Sequence, residues 1–159
     1  KLLKGEIKSK FKQNVVKEKE FSEMLKNSIS KYQDRSIEAA QVIEELIVMA
    51  RKFKEEIEKG RKLKLNSDEM AFYDALANNE SAREAMKDEL LVQIAKEVAD
   101  KLRKNLKIDW SVRESVRASL RIMIKTLLRK YGYPPDGQDS ATNLILKQAE
   151  VISENWQFN

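Results

Sequence analysis

Apolar residues recur every three or four positions along most of this chain, which is the spacing of one face of an α-helix. The clearest stripe spans residues 36–59, and Gly60 is predicted to be the C-cap of that helix. Further stripes predict helices over residues 6–33, 88–105, 111–131 and 140–156. Such a face is normally the core side of a small bundle, and an exposed docking groove is the alternative for residues 36–59.

Pairs of polar residues predict two short helices in the middle of the chain. Asn66 with Glu69 fits a capping box, in which the two side chains bind free backbone N–H groups of the first turn. Ser81 with Glu84 fits a second one. The predicted helices span residues 67–77 and 81–87, with a bend between them.

Similar signals bound the later helices. Asp88 is the predicted N-cap of the helix that should stop near residue 105, and Ser111 with Glu114 fits a third capping box. Gly132 and the proline pair at 134–135 cannot continue a helix, so the helix that begins at Ser111 is predicted to end there.

Composition favours an all-α fold. Only four Gly and two Pro occur in 159 residues, and good helix formers dominate, so a sheet is not expected. We predict a single helical bundle of about six or seven helices that forms one domain over residues 1–159, with residues 1–30 as a helix that could be semi-independent. Because the chain begins with Lys1 rather than Met, we expect it to be a fragment of a longer polypeptide.

The helix over residues 111–131 carries a basic stripe with almost no acid to balance it. Every fourth residue is basic, which stacks the side chains along one side of the helix over about 24 Å. The stripe consists of Arg113, Arg117, Arg121, Lys125 and Arg129, and the one acid in the segment is Glu114. Like charges at this spacing cost about 0.2–0.5 kcal/mol per pair, so a negative surface outside the helix is expected.

Three interpretations of this stripe are open. It could be a solvated face whose arginines pair with acids on neighbouring helices, a contact surface for a nucleic-acid backbone, or a surface that meets an acidic partner protein. The preferred interpretation is contact with double-stranded DNA, because cations on a rigid helix release counterions when they neutralise phosphates. Sequence-specific readout of bases is not expected, since no Asn or Gln accompanies the arginines. The candidate DNA-binding residues are Lys104, Lys107, Arg113, Arg117, Arg121, Lys125, Arg129 and Lys130.

The distribution of charge and the missing residue types narrow the function further. Residues 1–35 and 96–136 have net charges of +5 and +6 and flank an acidic block of −4 over residues 36–95, which favours a polyanion or an acidic partner. The sequence contains no Cys and no His, so thiol catalysis, zinc fingers and imidazole chemistry are excluded. No apolar run is long enough for a membrane span, and a soluble protein is expected.

Four segments together resemble the C-terminal helical domain of the motor subunit, or R subunit, of type I restriction enzymes. They are RSIEAAQVIEEL (35–46), DEMAFYDALANNESA (68–82), IDWSVRESVRASLR (108–121) and LLRKYGYPPD (127–136). They occur in order over most of the chain. Residues before Lys31 share only a Lys-rich helical character with that family, and the likeness is faint after Ser140.

The resemblance implies a module that docks an ATP-driven DNA translocase on its methyltransferase subunits and lies close to double-stranded DNA in the bacterial cytoplasm. It implies that the parent subunit is an ATP-dependent type I site-specific deoxyribonuclease whose ATP, magnesium and nuclease residues lie in other domains. This segment has no phosphate-binding loop, since its glycines are scattered. We therefore expect no cofactor, no metal and no catalytic residue here. The alternative function is a purely protein–protein adaptor whose basic stripe meets an acidic partner.

The remaining candidates have simpler structural explanations. Trp110 could stack on a base, but a core anchor before the predicted cap at Ser111 is preferred. Phe72 and Tyr73 are expected in the core, and the tyrosines at 131 and 133 in a packed turn rather than a recognition corner. The acids that could be imagined as a metal cluster are Glu69, Asp74, Glu80 and Glu84. Without His they make a poor site, and capping explains two of them.

Overall fold

The computed structural model describes residues 4–5, 14–105 and 114–156, and it confirms the all-α prediction for them. Seven α-helices lie in this part of the chain, with no strand. They are α1 (Val15–Gln33), α2 (Ala39–Lys62), α3 (Ser67–Ala77), α4 (Glu80–Ala85), α5 (Asp88–Asn105), α6 (Glu114–Lys130) and α7 (Gln138–Trp156), and a single 3₁₀ turn at Pro135–Gly137 precedes α7. Their contacts group them into two units.

The first unit is an antiparallel pair formed by α1 from Val16 onward and α2. Its core contains the buried side chains Phe21, Leu25 and Met49. The rings of Phe21 and Phe53 meet edge to face with centroids 5.5 Å apart. Toward the start of α1, Lys17 pairs with Glu56 at 3.0 Å. The pairing of early α1 residues with late α2 residues establishes the antiparallel arrangement.

The second unit contains α3 to α7, together with Asn14 and Val15. The short helix α3 lies at its centre and packs on α5 and α7, and residues 71–76 of α3 are all buried. The predicted core positions Phe72 and Tyr73 are 0% and 1% exposed, so that prediction is confirmed. The buried carboxylate of Asp74 accepts a hydrogen bond from Asn14 Nδ2 at 2.6 Å.

Several predicted boundaries were wrong by a few residues. Residue Ser36 lies in a turn closed by Asp34 Oδ1, and α2 begins at Ala39, with Gln41 Oε1 accepting from the backbone N–H of Glu38. At the other end, Gly60 is a buried residue inside α2 rather than its C-cap. The helix continues to Lys62, and the left-handed conformation common just after a helix occurs at Lys64 (φ 58°).

The capping predictions had mixed outcomes. The box of Asn66 and Glu69 is confirmed, with both hydrogen bonds present. The box at Ser81 was wrong, because Asn79 Oδ1 accepts from the Ala82 N–H and is the N-cap of α4. Ser81 instead donates its hydroxyl proton to Asp136.

Two other predicted ends can be compared with the structure. Asp88 is the first residue of α5 rather than its N-cap, and its carboxylate accepts a hydrogen bond from Tyr73. The predicted stop of that helix near residue 105 is confirmed. The end of α6 is confirmed as well: Gly132 (φ 76°) follows it, and the Tyr133 N–H binds the Leu128 carbonyl, as in a Schellman motif.

Some predictions lie outside the described residues or remain untested. The first part of the helix predicted over residues 6–33, the cap at Ser111 and the side chain of Trp110 fall outside them. That residues 1–159 form one domain, with 1–30 semi-independent, stays a prediction.

Candidate nucleic-acid interface

The basic stripe lies on α6, beside the residues that anchor this helix in the core. Leu120, Ile124, Leu127 and Leu128 are buried. Met123 and Tyr131, two further apolar side chains of this segment, are only half-buried. Because Ile124 and Leu128 are the buried positions, the basic residues are adjacent to the core rather than opposite to it. The stripe therefore leans toward a neighbouring helix.

That neighbour is α7, which supplies acids and an amide along the stripe. Lys125 pairs with Asp139, whose pKa is lowered by this hydrogen bond and by the lysine charge. The Arg121 guanidinium donates to Asn143 Oδ1 at 2.6 Å, and Arg117 lies 3.9 Å from Glu150.

In the folded chain, acids on α7 neutralise part of the stripe, so the prediction that almost no acid balances it was wrong. The middle of the stripe matches the first interpretation, in which arginines pair with neighbouring helices. The α7 partners of these cations were not predicted from the sequence. Their spacing was a usable signal, because Asp139, Asn143 and Glu150 fall on one face of a helix.

The C-terminal end of the stripe is more open. The side chain of Arg129 is exposed and makes no hydrogen bond or ion pair with another described residue. Its neighbour Lys130 lies 3.8 Å from Glu97 on α5 and 5.4 Å from the centre of the Tyr131 ring. Glu97 also accepts a hydrogen bond from the Tyr131 hydroxyl, which holds the pKa of Glu97 below its usual range.

The end of α5 supplies further exposed cations. Lys104 pairs with Asp100 one turn earlier at 3.0 Å, and Arg103 pairs with Asp68 at 2.9 Å. Both basic side chains remain largely exposed. Exposed pairs of this kind contribute about 0–1 kcal/mol and are easily exchanged for another anion. Two of the candidate DNA-binding residues, Lys107 and Arg113, lie outside the described residues.

The turn after α6 is packed, as predicted for Tyr133. Its side chain is 1% exposed, and its hydroxyl donates to the Leu76 carbonyl at 2.6 Å. Burial raises the pKa of Tyr133 to about 12. Tyr131 is half-buried and held by Glu97, so this corner is a structural contact between helices.

The acidic candidates do not come together. Glu69 caps α3, Asp74 is buried against Asn14, and Glu80 and Glu84 are exposed. Within the described segments no three acidic side chains are placed to hold a metal ion. Neither this donor set nor the scattered glycines fit ATP with magnesium.

None of the helices in the described part of the chain is long and apolar enough to cross a membrane.

Comparison with known proteins agrees with the predicted resemblance. The chain is 40% identical over 153 residues to the type I restriction enzyme HindI endonuclease subunit of Haemophilus influenzae, which covers 96% of this chain and 14% of that protein. It is 38% identical over 76 residues, 48% of this chain and 7% of the relative, to a Methanocaldococcus jannaschii protein named provisionally as the MjaIXP endonuclease subunit of a type I restriction enzyme. No solved structure matches.

The chain thus spans about one seventh of the length of the HindI relative. A family defined by the C-terminal region of such subunits matches residues 1–155, nearly the whole chain. This chain belongs to the family of C-terminal domains of type I restriction enzyme HindI endonuclease subunit-like proteins.

Proposed function

We propose that this domain is a non-catalytic assembly and DNA-proximal part of a motor subunit. In this proposal it docks the subunit on the methyltransferase core and offers DNA a basic surface without sequence preference. The parent subunit would be an ATP-dependent site-specific deoxyribonuclease in the bacterial cytoplasm, with its ATP and magnesium sites in other domains. Membership of the C-terminal family supports the link to such a subunit, and the assembly role is what the resemblance implies.

The observation that carries the DNA-binding part is the open cationic region formed by the ends of α5 and α6. Arg129 and Lys130 end α6, and the exposed Lys104 ends α5. The shared partner Glu97 places Lys130 and Lys101 near each other. Rigid helices hold these cations in place, and neutralising phosphates with them would release counterions from DNA. Arg121, Lys125 and Arg117 would extend this surface after leaving their α7 partners, which are an amide for Arg121 and acids for the other two.

One observation favours the adaptor function as a second candidate. Ile122 lies next to Arg121 on the solvent side of α6 and is 67% exposed. An exposed apolar side chain among cations suits a protein surface better than a phosphate backbone. In this alternative an acidic partner with an apolar centre would occupy α6.

Titration of duplex binding with salt separates the two functions. Anisotropy would be measured on two unrelated duplexes between about 50 and 200 mM salt, where each lost phosphate contact lowers the slope of log affinity by about one unit. The test variant is Arg129→Ala with Lys130→Ala. The control is Arg51→Ala, an exposed arginine on α2. Equal binding of both duplexes, with a slope reduced only in the test variant, is expected.

Unchanged affinity and slope in the folded test variant would contradict the DNA function and would favour the adaptor function.

The assembly role needs a separate measurement. Methyltransferase binding would be compared for the full motor subunit and for one truncated before Lys1, with retained ATPase activity as the folding control. Undiminished binding by the truncated subunit would refute docking through this domain.

A further inference from the structure

Helix α2 is apolar on a second side, next to the side that packs on α1. Ile43 and Ile47, one turn apart, are 59% and 50% exposed. Ala40 and Ala50 are exposed on the same side of the helix. The row that faces α1 is a different one and includes the buried Met49. The prediction that the whole apolar face of this helix is core was therefore wrong for the row around Ile43 and Ile47.

The charges of α2 are separated along its length. Between Glu38 and Glu45 there are three acids and no base, whereas residues 51–62 contain six bases and three acids. A helix with opposite net charges at its two ends is complementary to itself when reversed. Two such helices placed antiparallel bring each acidic half against a basic half, once at each end of the pair.

We infer that α2 binds α2 of a second copy of this chain in an antiparallel arrangement, along the row that contains Ile43 and Ile47. With the two-fold axis between residues 47 and 50, Ile47 lies opposite Ala50 of the second copy. A large side chain then packs against a small one, which allows two helices to approach closely. In this register Lys54 of the second copy lies opposite Ile43 and therefore close to Glu44, the next residue.

The two charged residues are available for this contact. The side chains of Glu44 and Lys54 make no hydrogen bond or ion pair with another described residue. Both are exposed; Lys54 lies on the line of the apolar row, one turn beyond Ala50, and Glu44 lies beside the row next to Ile43. Reversal of the helix repeats the pair, so the dimer would have two such contacts around one apolar centre. This is the pattern of an isologous interface with an apolar core and a charged rim.

The length of the helix limits the area of the contact. A helix of 24 residues is about 36 Å long, so a contact along one of its faces falls at the small end of specific interfaces. A weak, concentration-dependent dimer is therefore expected. The inference goes beyond the proposed function and uses none of the cations on α5 or α6, so either can fail alone.

The first experiment measures sedimentation of the full chain from about 1 to about 200 μM, a range that covers micromolar dissociation constants. The wild-type chain should pass from monomer to dimer. The variant Ile43→Glu with Ile47→Glu should associate at least about tenfold more weakly, because it places four carboxylates in the apolar row. Ile122→Glu is the matched control, an exposed isoleucine on α6, and should associate like the wild type.

A charge exchange then tests the antiparallel arrangement. Glu44→Lys and Lys54→Glu should each weaken the dimer by about threefold or more, and the two changes together should restore it, because each pair is re-formed with reversed sign. All four positions are exposed, so circular dichroism should show intact helices in every variant. The inference is overturned by a monomer throughout, by a dimer that survives the paired isoleucine change, or by an exchange that restores nothing.

Discussion

Tyr133 shows how one side chain connects two distant parts of the second unit. Its hydroxyl binds the Leu76 carbonyl, which lies in the last turn of α3. Carbonyl groups in a last helical turn have no partner within the helix, so this hydrogen bond satisfies one that would otherwise be buried without a partner. The Arg83 guanidinium donates a hydrogen bond to the next carbonyl, that of Ala77, at 3.0 Å.

Replacement of Tyr133 by Phe is predicted to lower the free energy of unfolding by about 1–2 kcal/mol, since a buried carbonyl loses its donor. The alkaline pH dependence should also change. The pKa of Tyr133 is raised to about 12 in the folded chain. Its stabilising effect is thus fully present below the unfolded value of about 10 and is lost as the pH rises toward 12.

Urea titrations at neutral and alkaline pH measure both effects. The control is Tyr32→Phe, which changes a tyrosine that is 52% exposed and should leave stability and its pH dependence nearly unchanged. An equal alkaline loss of stability in Tyr133→Phe and wild type would show that another group is responsible.

At the scale of helix pairs, α7 determines how much of the basic surface of α6 is available. Asp139 and Glu150 neutralise part of the stripe. We predict that Asp139→Asn with Glu150→Gln raises affinity for duplex DNA by about two- to fivefold and steepens its salt dependence, because two cations are released for phosphates. Stability should fall by less than about 1 kcal/mol, as for other exposed pairs.

Anisotropy with one duplex at several salt concentrations tests this prediction, which depends on the proposed DNA contact. Glu84→Gln is the control, because Glu84 is an exposed acid that makes no ion pair with a described residue of the stripe. If both variants gain affinity equally, general charge is responsible and the α7 partners have no special role.

These helix pairs also show what the sequence could and could not predict. Periodicity was sufficient for the helices, and a local capping box correctly marked the start of α3, since those signals depend on residues close in sequence. The partners of the basic stripe lie on a separate helix, so their effect needed tertiary structure. The Gly60 error has a similar cause: Leu63 is half-buried, and tertiary packing extends α2 past the expected breaker.

At the scale of the whole chain, the two units differ greatly in the size of their cores. Among described residues, the α1–α2 pair buries three apolar side chains. Two helices with so small a core are marginal alone, because helices gain most of their stability from tertiary packing. The first residues of α1 are held in the second unit, where the Val15 N–H binds Gln148 at 2.8 Å.

The single domain expected from the sequence predicts that the chain unfolds in one cooperative transition. Phe21→Ala in the first unit and Leu76→Ala in the second should each remove about 2–5 kcal/mol, and both should move the same transition. Circular dichroism during urea unfolding reports both units together, while hydrogen exchange reports each helix separately. In a cooperative chain, Phe21→Ala lowers the protection of α5 as much as that of α1. A second transition, or protection of α5 that is indifferent to Phe21→Ala, would instead divide the chain into two domains, and the α1–α2 pair would then need a stabilising contact from outside the second unit.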